Sequence, residues 1–460
     1  MEIAALQIPN LIGSFIQTLK VGGVIELQPG SIVPAIILEI DENSYANVQI
    51  FGQTIRAKID ADLQEGDGAN LYVTGNIKNG AMELKIVNTA SNTIPNTVLN
   101  TGNKKPPIDI DGIIKAIGAP VTKEVKTLVA ELLSQNIPVT AQAIKASALV
   151  LQEPPAVRPL IPVLVNMIQL GIPIDSETVQ IMQHLENGPE FQASLRNLLQ
   201  SVRLIPKEGG TEALPPSLQN GLQKAEQVIT QLLTENLAGP ELKTKVSLLG
   251  LDYEQKAGEL IRLIILGNGT VAKDELKNWL QDAGSVNLKQ VLLELDGKTI
   301  GLKNAGLEKL AEAVTAVLHH VTAQQLITQA VQENYGMIYR FFSLPVQTEG
   351  YRDTLQFQVM SRKGAGNKKI DPWNCYILIC LNLPHLGGLD IHMNVIDKAA
   401  SIRFVAENAV GFAGLDQQEL RQVISGVGYR LNAFSVEEKK SEKEHKTVLP
   451  PVISQLDLKV

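Results

Sequence analysis

The sequence predicts a multidomain α+β protein: a small N-terminal β-barrel of the OB or SH3 kind, a central all-α region, and a C-terminal α+β sandwich with one helix on a mostly antiparallel sheet. Three observations predict it. A chain of 460 residues is too long for one ordinary core. Hydrophobic residues make up 44% of it at a mean hydropathy of +0.05, so most of the chain folds. The apolar spacing also changes from alternate to helical and back to alternate along the chain. Aromatic residues are only 4%, so the cores rest on Leu, Ile, Val and Ala.

Residues 1–20 form an amphipathic opening, with apolar positions from Ile3 to Leu19. Residues 21–88 hold the barrel. Its strands are expected at Ile32 to Ile40, Ala46 to Phe51, Thr54 to Ile59, Asn70 to Thr74 and Met82 to Ile86, divided by Gly52, by the turn signals from Glu65 to Gly68, and by Asn79-Gly80, which suits a primed hairpin turn. Such barrels bind single strands of nucleic acid through stacking aromatics and cations on one face. Tyr45, Phe51, Arg56, Lys58 and Tyr72 are too few and too mixed with acids for that, so no nucleic acid is expected as a partner, although an adaptor using the barrel is the second reading. Residues 89–107, rich in Asn, Thr, Lys and Pro without an apolar period, form a linker.

From 108 to 334 the apolar spacing is helical, as in Val125, Leu128, Val129 and Leu132. A weak repeat lies here. Thr140 and Asp175 are natural N-caps, each preceded by an Ile-Pro start, and Val139 with Ile144 and Ile174 with Val179 stand at hydrophobic-staple positions. Ala119 to Glu124 is a fainter third copy. The stretch from Pro206 to Pro216 is expected to split the helical region.

Residues 335–438 return to a period of two. Strands are expected at Tyr339 to Val346, through Leu355, Phe357 and Val359, and at Tyr376 to Leu383, where the run from Cys375 to Leu381 implies a central strand covered on both faces. Cys375 and Cys380 point to opposite faces of that strand, so no disulfide joins them. Leu389, Ile391, Met393 and Val395 alternate through the next strand, and Ile402 and Phe404 continue the sheet. Asp416 and Glu419 form a capping box with Leu415 and Leu420 as the staple; Leu420, Val423, Ile424 and Val427 form one apolar stripe, and Gly428 closes the helix. Tyr429 to Val436 returns as a final strand. The mixed-charge stretch 439–460 reads as a solvated tail.

Between the two best-marked strands stand Leu383, Pro384, His385, Leu386 and Gly387, a Leu-Pro-x-Leu-Gly connection. With the strand pattern around it, Ile402-Arg403-Phe404, the capped helix and the exit from Gly428 to Leu431, it resembles the C-terminal domain of bacterial flagellar hook-length control proteins over about residues 336–438. The resemblance implies that these five residues belong to the domain's defining motif. It implies contact with the membrane-embedded export gate of the flagellar type III apparatus, and switching of that gate from hook to filament subunits; hook or hook-cap proteins are further implied partners. In the best-known members a poorly ordered, Gln- and Pro-rich N-terminal half is exported as a ruler. Here that half reads as barrel and helices, which would have to unfold to pass a narrow channel.

The remaining chemistry is expected to be absent. Net charge of -7 gives no general attraction for phosphates or anionic membranes. Met1-Glu2 lacks the positive start of a secretory signal and no apolar run spans a bilayer, so a cytoplasmic protein without membrane insertion is expected, with export through the flagellar apparatus implied only by the resemblance. His319-His320 on a helix point apart, so they cannot chelate together, and are expected at the surface or partly buried. His385 and His392 lack partners at metal-ligand spacing. Asp296-Gly297-Lys298-Thr299 ends like a phosphate loop without its glycines and reads as a turn. No enzyme activity, metal or cofactor is expected.

Overall fold

The computed structural model describes residues 31–41, 45–50, 53–59, 68–78, 81–88, 110–135, 137–152, 160–208, 214–235, 239–252, 286–299, 305–335, 337–348, 351–362, 369–384, 386–412 and 417–439. The amphipathic opening, the linker, Asn79-Gly80, Asp416 of the capping box, Leu415 of its staple, and the tail beyond Lys439 lie outside these residues. The protein is a mixed helix-and-sheet chain that divides into two compact units, the first ending at Glu186 and the second running Asn187–Lys446.

In the first unit, β1 (Ser31–Ile40), β2 (Tyr45–Ile50), β3 (Gln53–Ile59), β4 (Gly68–Lys78) and β5 (Ala81–Asn88) follow the strand signals closely. They pair in the order β2-β3-β5-β4-β1, and β1 also pairs β2, so the five close into a ring. Only β3 and β5 run parallel. Side chains alternate inward along each strand: Ala35 and Ile37, Ala46 and Val48, Leu71 and Val73, with Ala57 and Leu84, are all buried. Among the described residues, aliphatic side chains line the inside of the ring.

Five helices follow: α1 (Ile110–Ile117), α2 (Lys123–Ser134), α3 (Ala141–Gln152), α4 (Ile161–Leu170) and α5 (Ser176–Asn187). The repeat is real as local chemistry. Thr140 Oγ1 accepts the N–H of Ala143 at 3.3 Å and Asp175 Oδ1 that of Thr178 at 2.9 Å. The fainter copy caps as well, with Thr122 Oγ1 accepting from Val125 at 3.2 Å. Val139-Thr140 also forms a short strand, β6, that pairs with Ser31 and Ile32 of β1 and so fixes the start of α3 to the ring.

The second unit opens with α6 (Phe191–Glu208), α7 (Pro216–Leu232), α8 (Gly239–Leu249), α9 (Leu288–Thr299) and α10 (Ala305–Tyr335). Here the structure departs from two expectations. Helix α6 runs through Pro206 to Glu208, and Pro216 opens α7, where a missing N–H costs nothing. Leu198 and Val202 of α6 share one core with Leu222 and Ile229 of α7, so the proline-rich stretch joins two helices of a single core. Residues 295–299 are the last turns of α9 and not a turn between elements, because Leu292 and Leu295 are buried in that core and hold the helix on to its end.

The same core takes in Leu344 of the following sheet, so no division between compact units falls at 334/335. The sheet has the order β12-β11-β10-β9-β8-β7, built from β7 (Met337–Thr348), β8 (Tyr351–Arg362), β9 (Cys375–Leu383), β10 (Gly387–Ile396), β11 (Ala399–Ala406) and β12 (Arg430–Glu438). All neighbours are antiparallel except β11 and β12, which the helix α11 (Gln417–Gly426) connects as a crossover. Strand β9 is central, but its coverage is less complete than its apolar run implies: Cys375 and Leu378 are buried and most of the rest is half-buried. The two thiols are free and alternate in register, Cys375 opposite Val395 and Cys380 opposite Asp390.

Only half of the expected α11 stripe is covered. Ile424 joins Val395, Ile402 and Leu431 beneath it with Leu420 against them, whereas Val423 is 60% and Val427 66% exposed. A helix this short, crossing the sheet on Leu420 and Ile424, turns the flanking positions to solvent. Its end is as read: Gly428 takes φ +88, and the Tyr429 N–H reaches back to the Ile424 carbonyl at 3.1 Å.

Strand β7 is an edge strand, and α10 lies along it. The Ser343 N–H donates to Gln324 Oε1 at 2.9 Å and the Phe341 N–H to Thr328 Oγ1 at 3.2 Å, while Gln332 Nε2 donates to the Tyr339 carbonyl at 2.6 Å. Residues four apart on one helix face thus answer alternate groups of a strand edge.

Candidate functional site

The hairpin between β9 and β10 carries the motif. Gly387 pairs with Leu383, Gly388 with Asn382 and Leu389 with Leu381, so Pro384 and Leu386 stand at the tip; His385 lies outside the described residues. Pro384 is exposed and Leu386 half-buried. Gly387 has φ +67, a left-handed conformation that glycine adopts without strain, and a Cβ there would overlap the Glu407 carboxylate.

The tip is braced by the segment after β11. The Asn408 N–H donates to the Leu386 carbonyl at 3.1 Å and the Glu407 N–H to the Gly388 carbonyl at 3.0 Å. The Leu386 side chain lies on Gly411, in a short 3-10 turn at Ala409–Phe412, so closely that a Cβ on Gly411 would overlap it. Phe412 in turn stacks at 5.3 Å on Phe404, which meets Phe434 at 5.5 Å. Of the five motif residues, Leu386 and Gly387 therefore shape the hairpin and hold it to its brace, and Pro384 faces outward. Sequence reasoning missed the brace; Gly411 between Val410 and Phe412 is its one visible mark.

Behind the hairpin, one face of β9 and β10 is polar. Asp390 is buried and its carboxylate lies 3.3 Å from Lys439 Nζ, while the Lys439 N–H donates to the Ala406 carbonyl at 2.7 Å. Burial first, then the nearby Asp390 charge, push the Cys380 thiol well above its usual range, so it is no nucleophile. The Tyr376 hydroxyl and His392 Nδ1 share a hydrogen bond at 2.5 Å. Burial, with the charges of Arg403 and Lys439 behind it, depresses His392 to about 3, and burial raises Tyr376, so both stay neutral. This arrangement offers fixed hydrogen bonds and no group poised for proton transfer or attack. Among the described residues no group of three or more His, Cys, Asp or Glu is placed to hold a metal ion, and no helix is long and apolar enough to cross a membrane.

His320 is buried, against expectation. Its Nε2 lies 2.9 Å from the Pro189 carbonyl and 3.3 Å from Ser194 Oγ, and its ring meets Phe191 at 5.4 Å. The long α10 has too many neighbours to keep both histidines at the surface.

On the ring of the first unit, Arg56 lies 5.2 Å above the Tyr45 ring and its guanidinium is 3.2 Å from Asp41 Oδ2. The cation is thus already met by an acid. Residues 7–85, which take in β1 to β4 and the first half of β5, match the family model of a TP0910 S1-like domain. No curated protein and no solved structure matches the chain.

Proposed function

We propose that this chain is a hook-length control protein of the flagellar type III export system, whose C-terminal sheet binds the export gate and favours its filament-exporting state. The observation that carries the reading is the braced hairpin: a Leu-Pro-x-Leu-Gly tip at the end of central strands, with Pro384 outward and Leu386 locked on Gly411. A rigid tip binds without an ordering cost. It shifts the gate only as far as it prefers one gate conformation over the other. No bond is made or broken. Export of the chain itself is no part of this reading.

Pro384→Arg tests it, since an exposed tip residue leaves the fold intact. The expected outcome is lost gate binding and hooks of uncontrolled length in the source bacterium, with an unchanged melting temperature. Hooks of normal length would remove the hairpin from the mechanism.

A second reading rests on the S1-like match and the strand order of the ring. A five-stranded closed barrel with β3 parallel to β5 is the OB arrangement, whose β2 and β3 face receives oligonucleotides. On this reading the protein is a nucleic-acid-binding adaptor. It predicts single-strand binding that weakens steeply between about 50 and 200 mM salt. Binding insensitive to salt, or none, sets it aside; the Arg56 to Asp41 pair weighs against it.

A further inference from the structure

We propose that the end of the C-terminal sheet opposite the Leu383–Gly387 hairpin is a self-association surface, where Trp373 and the Asp397–Lys398 turn meet the same face of a second copy of this chain about a two-fold axis.

Three connections come together at this end of the strands: residues 371–374 ahead of β9, the turn at Asp397 and Lys398 between β10 and β11, and residues 427–430 leading from α11 into β12. Hydrogen bonds tie each to another. The Lys398 N–H donates to the Trp373 carbonyl at 3.3 Å and the Arg430 N–H to the Lys398 carbonyl at 2.8 Å. The Asp397 N–H donates to Asn374 Oδ1 at 3.1 Å, and the Tyr429 hydroxyl to the Pro372 carbonyl at 3.0 Å. Asp371 closes the first connection on itself, accepting the Trp373 N–H at 2.9 Å and the Asn374 side-chain amide at 3.0 Å. The platform is fixed before anything binds, so a contact here loses little ordering entropy.

What the platform presents is apolar. Trp373 is 54% and Ile396 44% exposed, Pro372 is open beside Trp373, and Val427 is open two residues before Tyr429. Lys398 Nζ lies 4.5 Å from the centre of the Trp373 ring. Holding it there strains the backbone: Asp397 at φ +48 and Lys398 at φ +65 are the only non-glycine residues in the left-handed region among those described. Asn-Gly is the ordinary choice for such a hairpin turn, and a lysine in that conformation costs on the order of 1 kcal/mol. Glycine at 398 would close the turn without strain and leave Trp373 without its cation. An open tryptophan on a rigid frame is the residue type that carries most of the energy of protein interfaces.

Charge selects the occupant. The three connections carry Lys398 and Arg430 against Asp371 and Asp397, so they favour neither an acidic nor a basic partner and complement a rotated copy of themselves. Ion pairs of this sheet among the described residues are Arg403 with Glu437 and Lys439 with Asp390, farther along the strands, and both Asp397 and Arg430 stay exposed and unmatched. Head to head, Asp397 of each copy faces Arg430 of the other and the two Trp373 rings close the centre. Strands β9 and β10 separate this end from the hairpin, so both hairpins of the pair stay open.

The inference is independent of what the hairpin binds. Sedimentation equilibrium of the full chain over about 1–100 µM tests it, the range expected for a small interface. A reversible monomer–dimer equilibrium is expected, with a dissociation constant raised more than about tenfold by Trp373→Ala. Asp397→Lys and Arg430→Glu should each raise it about tenfold, and the double variant should return to within about threefold of wild type, because the exchanged charges meet again across the axis. Asp397→Asn, which suits a left-handed turn, removes the charge if the reversal disturbs the fold. A chain that stays monomeric throughout overturns the proposal. So does a dimer indifferent to these substitutions, and so does a double variant as weak as either single one.

Discussion

Gly411 and Leu386 occupy space that only one side chain can fill. Gly411→Ala places a methyl group inside the Leu386 contact and is expected to destabilise the second unit by about 1–3 kcal/mol. Combined with Leu386→Ala the cost should fall below the sum of the two, because the shorter side chain vacates the space; urea unfolding of the single and double variants measures this coupling. Additive costs would mean that the two residues do not touch. The titrating residues pull in opposite directions. His392 is depressed from 6.5 to about 3, so the stability it contributes is present above pH 6.5 and is lost as pH falls toward 3. Glu186, held up to about 7 by burial against the 2.7 Å hydrogen bond from Asn166, contributes stability below pH 4.5 that is lost as pH rises toward 7. Glu186→Gln should therefore gain on the order of 2–3 kcal/mol relative to wild type between pH 4.5 and 7, and His392→Gln should lose the acid sensitivity of its own unit. Denaturation midpoints from about pH 3 to pH 7 check both. Neither burial was legible in the sequence: a Glu in an amphipathic helix and a His in an alternating strand look solvated until tertiary neighbours are known.

The elements themselves were largely written in local chemistry. The five ring strands followed the turn residues between them, and the caps at Thr140 and Asp175 followed from side-chain type alone, because both signals are settled within a few residues. The alternation through β10 placed the strand but not its faces: Leu389 and Val395 are buried, but so is Asp390, and Ile391, His392, Met393 and Asn394 are all half-buried. Long-range packing is where reading failed. The α11 stripe lost Val423 and Val427 to solvent, and α9 ran on past the point where Asp296-Gly297 suggested a turn. The covering of β7 by α10 left no local trace, since Gln324, Thr328 and Gln332 read as an ordinary polar face. Gln324→Ala strips the buried Ser343 N–H of its acceptor and is expected to cost about 1–3 kcal/mol. Gln325→Ala, one residue away, is not on this edge. Amide exchange at Ser343 tells them apart: only the first variant should expose it.

At the scale of the whole molecule, the compact units and the sequence modules divide the chain differently. The sequence changes character at residue 335, yet the second unit runs Asn187–Lys446 and its helical core includes Leu344. A fragment spanning residues 187–446 is therefore expected to unfold in one cooperative transition, and a fragment beginning at 335 to lack one, because its first strand has left its helices behind. Calorimetry of the two fragments decides this. A cooperative transition in the shorter one would restore the boundary that the sequence suggests.

The sheath that α10 lays along β7 also bears on how the protein keeps to itself. A bare strand margin recruits whatever extended chain it meets, including its own copies. Here one margin is sealed by glutamine and threonine, and the other, β12, is bent by a register shift and ends in Glu437 and Glu438. With both margins guarded, fibre growth through that sheet is expected only after a protease trims the long helix and bares β7.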